Sequence, residues 1–336
     1  MSSWLERRWY SAEPPPAWLL PLSRLFGRIA AARRARLAPA ARSAPLGVPV
    51  IVVGNISLGG TGKTPFTLWL IEQLRAEGWS PGVISRGYGG RAPRYPHRVS
   101  ASDAASVCGD EPLLLARRAG VPVMVDPDRR RGAAALLADG GVDILVADDG
   151  LQHYRLPRDL EICVVDGRRG LGNGALLPAG PLREPVSRLG EVDLLVVNGG
   201  DWQPPASLKV PQLHMQLAVR EAWPLAIGGP PVPLERWRGR PVHAVAGIGH
   251  PQRFFDSLAA LGLEVIPHPF ADHHAFAAAD LQFGDELPVL MTEKDAVKCA
   301  TFAPPQAWQV PATVSVDPAA TAAMRQSLQT LRHPPR

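Results

Sequence analysis

Residues 57–64 read SLGGTGKT and set Lys63 and Thr64 directly after Gly62, between an apolar run and a helical pattern. Glycines here let backbone N–H groups turn inward on an anion, and the helix start adds the positive end of its dipole. This Walker A arrangement cradles nucleotide phosphates: Gly59, Gly60, Thr61 and Gly62 form the loop, Lys63 reaches the β- and γ-phosphates, and Thr64 offers its hydroxyl to Mg²⁺. The strict pattern has glycine at position 57; Ser57 makes the loop a variant. A partner signal is VDILVADDG, residues 142–150, an apolar run ending in Asp148 and Asp149. A carboxylate at such a strand end holds a nucleotide-bound Mg²⁺, directly or through water. The pattern leaves open which of the two touches the ion.

Phosphoryl transfer to an alcohol also needs a group to accept the hydroxyl proton. Two segments qualify. CGDEP sets Asp110 and Glu111 at a helix head, where ordinary N-capping is the alternative. ADHHAF offers Asp272, His273 and His274 in a loop, where adjacent histidines are also common surface residues.

The elements that must position these groups alternate between strand and helix. VPVIVVGN, PGVISRG, VPVMVD, VDILVADDG, LEICVVDG and VDLLVVNG are mostly continuous apolar runs, as a parallel sheet covered on both faces requires. Helical patterns over 65–77 and 110–119 separate them, which is an α/β, doubly wound, P-loop NTPase-like pattern. A proline-rich patch over 202–233 reads as a linker, after which a second, smaller α/β unit follows. The expected organisation is an N-terminal segment over 1–45, a P-loop domain over 46–225 and the smaller domain over 226–336.

The N-terminal segment differs from the rest. Leu22, Leu25, Phe26 and Ile29 share one helical stripe, with Arg24, Arg28, Arg33, Arg34 and Arg36 among or after them. A basic amphipathic helix of this kind either lies in a membrane interface or packs on its own domain. No apolar run approaches the ~20 residues a bilayer span needs, and WLLPL is too short and too proline-broken for a signal peptide. Three cysteines without C-x-x-C spacing indicate neither a disulfide framework nor a zinc site, which fits a reducing, intracellular setting.

The 36 Lys+Arg against 31 Asp+Glu give a net charge of +5. Only four of those basic residues are lysines, so the excess largely reflects arginine usage, and it makes Lys63, Lys294 and Lys298 informative. No zinc spacing, RNA-recognition core or helix-turn-helix accompanies the arginines, so a nucleic-acid partner is not expected.

Taken in order, GNISLGGTGKTP, ISRGYGG, GDEPLLLA, ADDGLQHYRLPRDLEI, LPAGPLREP, FADHHAF and MTEKDAVK resemble the tetraacyldisaccharide 4'-kinase (lipid A 4'-kinase) family of Gram-negative bacteria. They run from residue 54 to 298. The resemblance implies ATP and Mg²⁺ as cofactors and transfer of the γ-phosphate to the 4'-hydroxyl of a tetraacyldisaccharide 1-phosphate. It implies a smaller domain closing over the cleft, and peripheral association with the anionic cytoplasmic face of the inner membrane through the N-terminal helix. By motif, Asp110 would be the general base and His273 its partner, with Lys63 as a further catalytic group. Asp148 and Asp149 would organise Mg²⁺ with Thr64, and Glu184 would be a further ligand. Arg86 and Arg183 are candidates for phosphate contacts, and Gln152 and His153 for the site wall. The roles of Arg129, Arg130 and Arg131, the adenine pocket and the contribution of AGIGHPQRF (246–254) stay open.

Three alternatives keep a P-loop but change the chemistry. A switch or metal-insertion NTPase would carry an extra lysine where this chain has Leu58. A GTPase would need N-K-x-D, where Thr292 replaces the asparagine and Lys294 and Asp295 are adjacent. A kinase of a soluble metabolite is separated from the lipid reading by the amphipathic start and the apolar, tryptophan-containing segments around it.

Overall fold

The computed structural model describes residues 3–11, 13–42, 45–225 and 229–332. One sheet is built from β1 (Val50–Gly54), β2 (Pro81–Ser85), β3 (His97–Arg98), β4 (Val123–Val125), β5 (Ile144–Asp148), β6 (Leu160–Asp166), β7 (Leu194–Asn198), β8 (Gln212–Ala218) and, from far along the chain, β15 (Thr313–Val316). Their order is β15-β8-β7-β6-β1-β5-β2-β4-β3. The run from β8 to β4 is parallel, and an antiparallel strand closes each edge. All six apolar runs became strands of this sheet.

Both faces are covered, which is why the runs do not alternate. Ile51 and Val53 of β1 pack with Phe66, Leu70 and Leu113 on one face. Val50 and Val52 pack with Leu136, Leu151 and Leu189 on the other. The flanking helices include α3 (Lys63–Ala76), α4 (Ala105–Cys108), α5 (Asp110–Ala119) and α6 (Arg129–Ala138). Because β1 lies between β5 and β6, the strand order reverses at β1, and its carboxyl end opens on the crevice where α/β sheets bind ligands.

The smaller unit is a six-stranded sheet in the order β10-β9-β14-β13-β11-β12: β9 (Glu221–Pro224), β10 (Val232–Pro233), β11 (Pro241–Ala246), β12 (Glu264–Pro269), β13 (Val289–Thr292) and β14 (Ala307–Val310). It carries α7 (Pro251–Ala260) and α8 (Glu293–Cys299), and α8 packs against α5 of the larger unit.

Two expectations about organisation are corrected. The 202–233 patch is not simply a linker, because it contains β8, β9 and β10. The unit expected over 226–336 does not keep its end: β15 pairs with β8, Thr313 opposite Ala218, and α9 (Pro318–Thr330) packs on α3. The smaller unit is therefore an insertion between β8 and β15.

At the start of the chain, α1 (Ser3–Trp9) is docked by Trp9, which is buried and donates from its indole to the Pro178 carbonyl at 3.0 Å. Helix α2 (Leu20–Arg42) leans on the 175–182 loop through Ser23, whose hydroxyl donates to the Leu176 carbonyl at 2.8 Å. That contact leaves Leu22, Leu25 and Ile29 more than half exposed, beside exposed Trp18. Among the described residues no helix is long and apolar enough to cross a membrane.

Candidate active site

The phosphate loop leaves β1 and enters α3 through Gly62, whose φ of +92° is open to glycine and strained for other residues. A Cβ at 62 would also fall 2.3 Å from Nδ2 of Asn198, so glycine is required there twice over. LPAGPLREP supports the loop from outside: Leu58 N–H donates to the Pro181 carbonyl at 2.8 Å and Arg183 N–H to the Ile56 carbonyl at 2.6 Å.

That pairing delivers Arg183 to the aspartates at the end of β5. Its guanidinium contacts the Asp149 carboxylate at 3.1 and 3.3 Å and also donates to Oδ1 of Asn55. Lys63 Nζ stands 3.6 Å from the same carboxylate. Burial would raise Asp149, but the charges of Lys63 and Arg183 outweigh it and hold the carboxyl far below the usual range. Asp148 is fully buried; Oδ1 accepts the Thr67 hydroxyl at 3.2 Å, while Oδ2 is sealed from solvent without a hydrogen-bond partner. Burial, with the charges of Glu111 and Asp149, pushes Asp148 up to about 7. An orphaned, unwilling carboxylate beside a phosphate loop is what a divalent cation would satisfy. Among the described residues no three His, Cys, Asp or Glu side chains converge as a metal cage.

Across the crevice, Asp110 opens α5. Its Oδ1 accepts the Glu111 N–H at 2.9 Å, and its Oδ2 lies 2.9 Å from Nδ1 of His273, which comes from the smaller unit. Burial works to raise Asp110, but the His273 hydrogen bond and the charges of Lys294, His273 and Lys298 hold it below its ordinary value. The same hydrogen bond raises His273. Tyr88 of ISRGYGG lies against the His273 ring at 5.0 Å.

MTEKDAVK holds the histidine loop in place. Lys294 reaches Glu111 at 3.1 Å and Asp272 at 3.4 Å, bridging the two units beside Asp110. Lys298 pairs with buried Asp295 at 2.8 Å and donates to the His274 carbonyl at 3.1 Å. His274 turns away to Asp280. Among the described residues, Asp149 (φ +48°) and His273 (φ +60°) are the non-glycine residues with positive φ. Both stand in the crevice, where such strain tends to collect.

The structure thus brings together Lys63, Thr67, Asp148, Asp149 and Arg183, and separately pairs Asp110 with His273. Gln152 supports the wall by donating to the Asn55 carbonyl at 2.9 Å. Arg86 is exposed at the end of β2, and its charge is felt by Arg129. Glu184 is buried in an ion pair with Arg188 at 3.2 Å, and neither of its oxygens has a hydrogen-bond partner. Sequence reasoning missed Asn55, Thr67 and Asn198. It left the 129–131 run undivided, although Arg129 is buried and donates to the Asp149 carbonyl at 3.1 Å while Arg131 pairs with Asp126.

The family model for tetraacyldisaccharide-1-P 4'-kinase matches residues 16–329. The chain belongs to that family. It is 54% identical over 329 residues to a tetraacyldisaccharide 4'-kinase of Azoarcus sp. strain BH72, covering 97% of this chain and 96% of that protein. To the Pseudomonas aeruginosa PAO1 protein of the same name it is 51% identical over 316 residues, covering 93% and 92%. The crystal structure of LpxK from Aquifex aeolicus in complex with ATP superposes with a TM-score of 0.76 at 28% identity, over 94% of this chain and 98% of that one. As a kinase of this family, the chain has a use for its phosphate cradle.

Proposed function

We propose that the chain transfers the γ-phosphate of ATP to the 4'-hydroxyl of a tetraacyldisaccharide 1-phosphate, at the cytoplasmic surface of the inner membrane. The observations that support this reading are the Asp110–His273 pair, whose carboxylate is buried, and the Lys63–Asp149–Arg183 cluster, with Glu111 beside Asp110 close enough for its charge to act on Asp148. Hydrolysis or switching needs no proton acceptor dedicated to an alcohol; transfer does.

In this reading Lys63 and Arg183 leave Asp149 to neutralise phosphate oxygens, and the phosphate-loop N–H groups orient them. Mg²⁺ fits Asp148, Asp149 and Thr64, and when bound it supplies further charge neutralisation. Asp110 takes the hydroxyl proton. Its two oxygens are pinned by Glu111 N–H and His273, so the free lone pairs point in fixed directions. A placed base is typically worth ~10²–10⁴-fold. His273 arrives with the smaller unit, so docking of that unit completes the base and excludes water.

The lipid assignment draws support from α2. Its exposed Leu22, Leu25 and Ile29 and its exposed arginines suit an anionic interface. Beside it a cavity of about 600 Å³, lined by Ile29, Arg33, Arg36, His153, Tyr154 and Arg155 among others, offers both apolar and cationic walls. His153 links that cavity to the crevice by accepting the Arg129 N–H at 3.3 Å, and burial lowers it to about 4, so it stays neutral.

The test is transfer of label from γ-labelled ATP to the disaccharide 1-phosphate in detergent micelles, with Lys63→Ala as control. Labelled lipid is expected from the wild type and none from the control. Free phosphate without labelled lipid would sink the acceptor assignment and favour a soluble-metabolite kinase or an NTPase.

A further inference from the structure

AGIGHPQRF, the turn between β11 and α7, rests directly on the phosphate loop. A Cβ at Gly249 would fall 2.9 Å from the Gly60 nitrogen. One helical turn on, Arg253 of α7 reaches the ends of β7 and β6, the latter next to β1. Its Nη2 donates to Oδ1 of Asn198 at 2.7 Å, and its Nη1 lies 3.8 Å from Asp166. Asn198 is fully buried, and its other end, Nδ2, donates to the Thr61 carbonyl at 2.9 Å.

We propose that Arg253 is a positioning residue for the phosphate loop, acting through the Asn198 amide on Thr61 and Gly62. A primary amide has a donor end and an acceptor end that exchange on a half-turn. A guanidinium only donates, so Arg253 fixes the oxygen on its own side and commits the NH₂ group to Thr61. Without it the amide is free to turn its oxygen toward the Thr61 carbonyl, where two acceptors repel. The NH₂ group also packs on the face of Gly62, so the amide's orientation bears on the loop at two successive residues. Because Arg253 belongs to the smaller unit, the cradle takes its final geometry only with that unit docked. This inference rests on the reading of the loop as an ATP site, and not on the identity of the acceptor.

The experiment is calorimetric titration of Mg²⁺-ATP into the full chain without acceptor, using Arg253→Met, Arg253→Lys, Asn198→Asp and Arg168→Ala. Methionine keeps the stem packed but removes the donor, lysine restores a donor, and aspartate keeps the Arg253 contact while losing the NH₂ group. Arg168 is an exposed neighbouring cation 3.9 Å from Asp256. Arg253→Met and Asn198→Asp are each expected to weaken binding about tenfold, the equivalent of ~1.4 kcal/mol. Lysine should recover most of the loss, and Arg168→Ala should bind as wild type. Wild-type affinity in Arg253→Met or Asn198→Asp would overturn the proposal, as would equal losses in Arg253→Met and Arg168→Ala, which would mean general positive potential. Should Arg253→Met fail to fold, the Asn198→Asp and Arg253→Lys pair decides. A wild type that binds Mg²⁺-ATP but labels no lipid would sink the acceptor assignment and leave this inference standing.

Discussion

Replacing His273 with alanine separates the two jobs that the geometry gives it, orienting the Asp110 carboxylate and keeping it ionised. The Nδ1–Oδ2 contact of 2.9 Å joins a buried carboxylate to a partner from the other unit. A hydrogen bond to a charged group contributes ~1.5–3 kcal/mol, so if it is fully used in the transition state its loss costs roughly 10- to 10²-fold in kcat. Removing Asp110 itself should cost more, about 10²–10⁴-fold. The second signature is in the pH profile. Burial alone raises Asp110, and the His273 bond is the largest influence that lowers it. In His273→Ala the acid limb of kcat/KM therefore moves to higher pH, and the deficit against wild type grows as pH falls. The assay is initial-rate transfer from pH 5 to 9, at saturating ATP and lipid for kcat and at subsaturating lipid for kcat/KM, on His273→Ala, Asp110→Asn and the double variant. If the two residues act as one unit, the double variant is no slower than Asp110→Asn. An unmoved acid limb with an unchanged rate at pH 8, or losses that simply multiply, would refute the dyad.

Two further outcomes follow from the same site and from α2. Asp148 is raised to about 7 by burial and by neighbouring carboxylates. Its protonated form favours the fold, a contribution fully present below the ordinary carboxylate value and lost as pH rises through about 7. In nucleotide-free, metal-free buffer, Asp148→Asn should thus gain more thermal stability over wild type at pH 8.5 than at pH 5; an equal gain at both would contradict it. Leu25→Glu with Ile29→Glu alters side chains that are 54% and 60% exposed, so the unfolding temperature should hold while co-sedimentation with vesicles containing anionic lipid falls; undiminished binding would remove α2 from the interface.

The sheet was legible because a parallel strand covered on both faces must be apolar at every position, and six such runs stand out in the chain. Its edges were not. QLHMQLA of β8 follows a proline-rich stretch and buries only Leu213 and Met215, and β15 is four residues whose partner lies some hundred positions earlier. Pairing of that range leaves no local mark. At the site, Lys63 and the paired aspartates stood out by type and spacing, whereas Asp110 and His273, which the structure sets 2.9 Å apart, were singled out only through the resemblance. Asn55 and Asn198 were not, since a polar residue ending an apolar strand looks like an ordinary turn. Arg129 was hidden in a run of three arginines, where only the register of α6 decides which side chain turns inward. Arg188, which pairs with Glu184 at 3.2 Å, was not legible at all, because an arginine in a short polar segment carries no mark of being buried.

The insertion of the smaller unit bears on how these groups can meet. The chain leaves the large sheet after Ala218 and returns at Thr313, and those two residues are paired neighbours in β8 and β15. Two adjacent crossings define an axis, so rotation about it is the motion the connection leaves easiest. Away from that connection in sequence, the two units meet at Asp110–His273, at Lys294 between Glu111 and Asp272, and at Arg253–Asn198. The first contact concerns the proton acceptor, the last the phosphate cradle. Lys294 lies beside the first, its ammonium kept charged against burial by Glu111, Asp110 and Asp272. A rotation about that axis would therefore carry His273, Lys294 and Arg253 together relative to Asp110, Glu111 and Asn198.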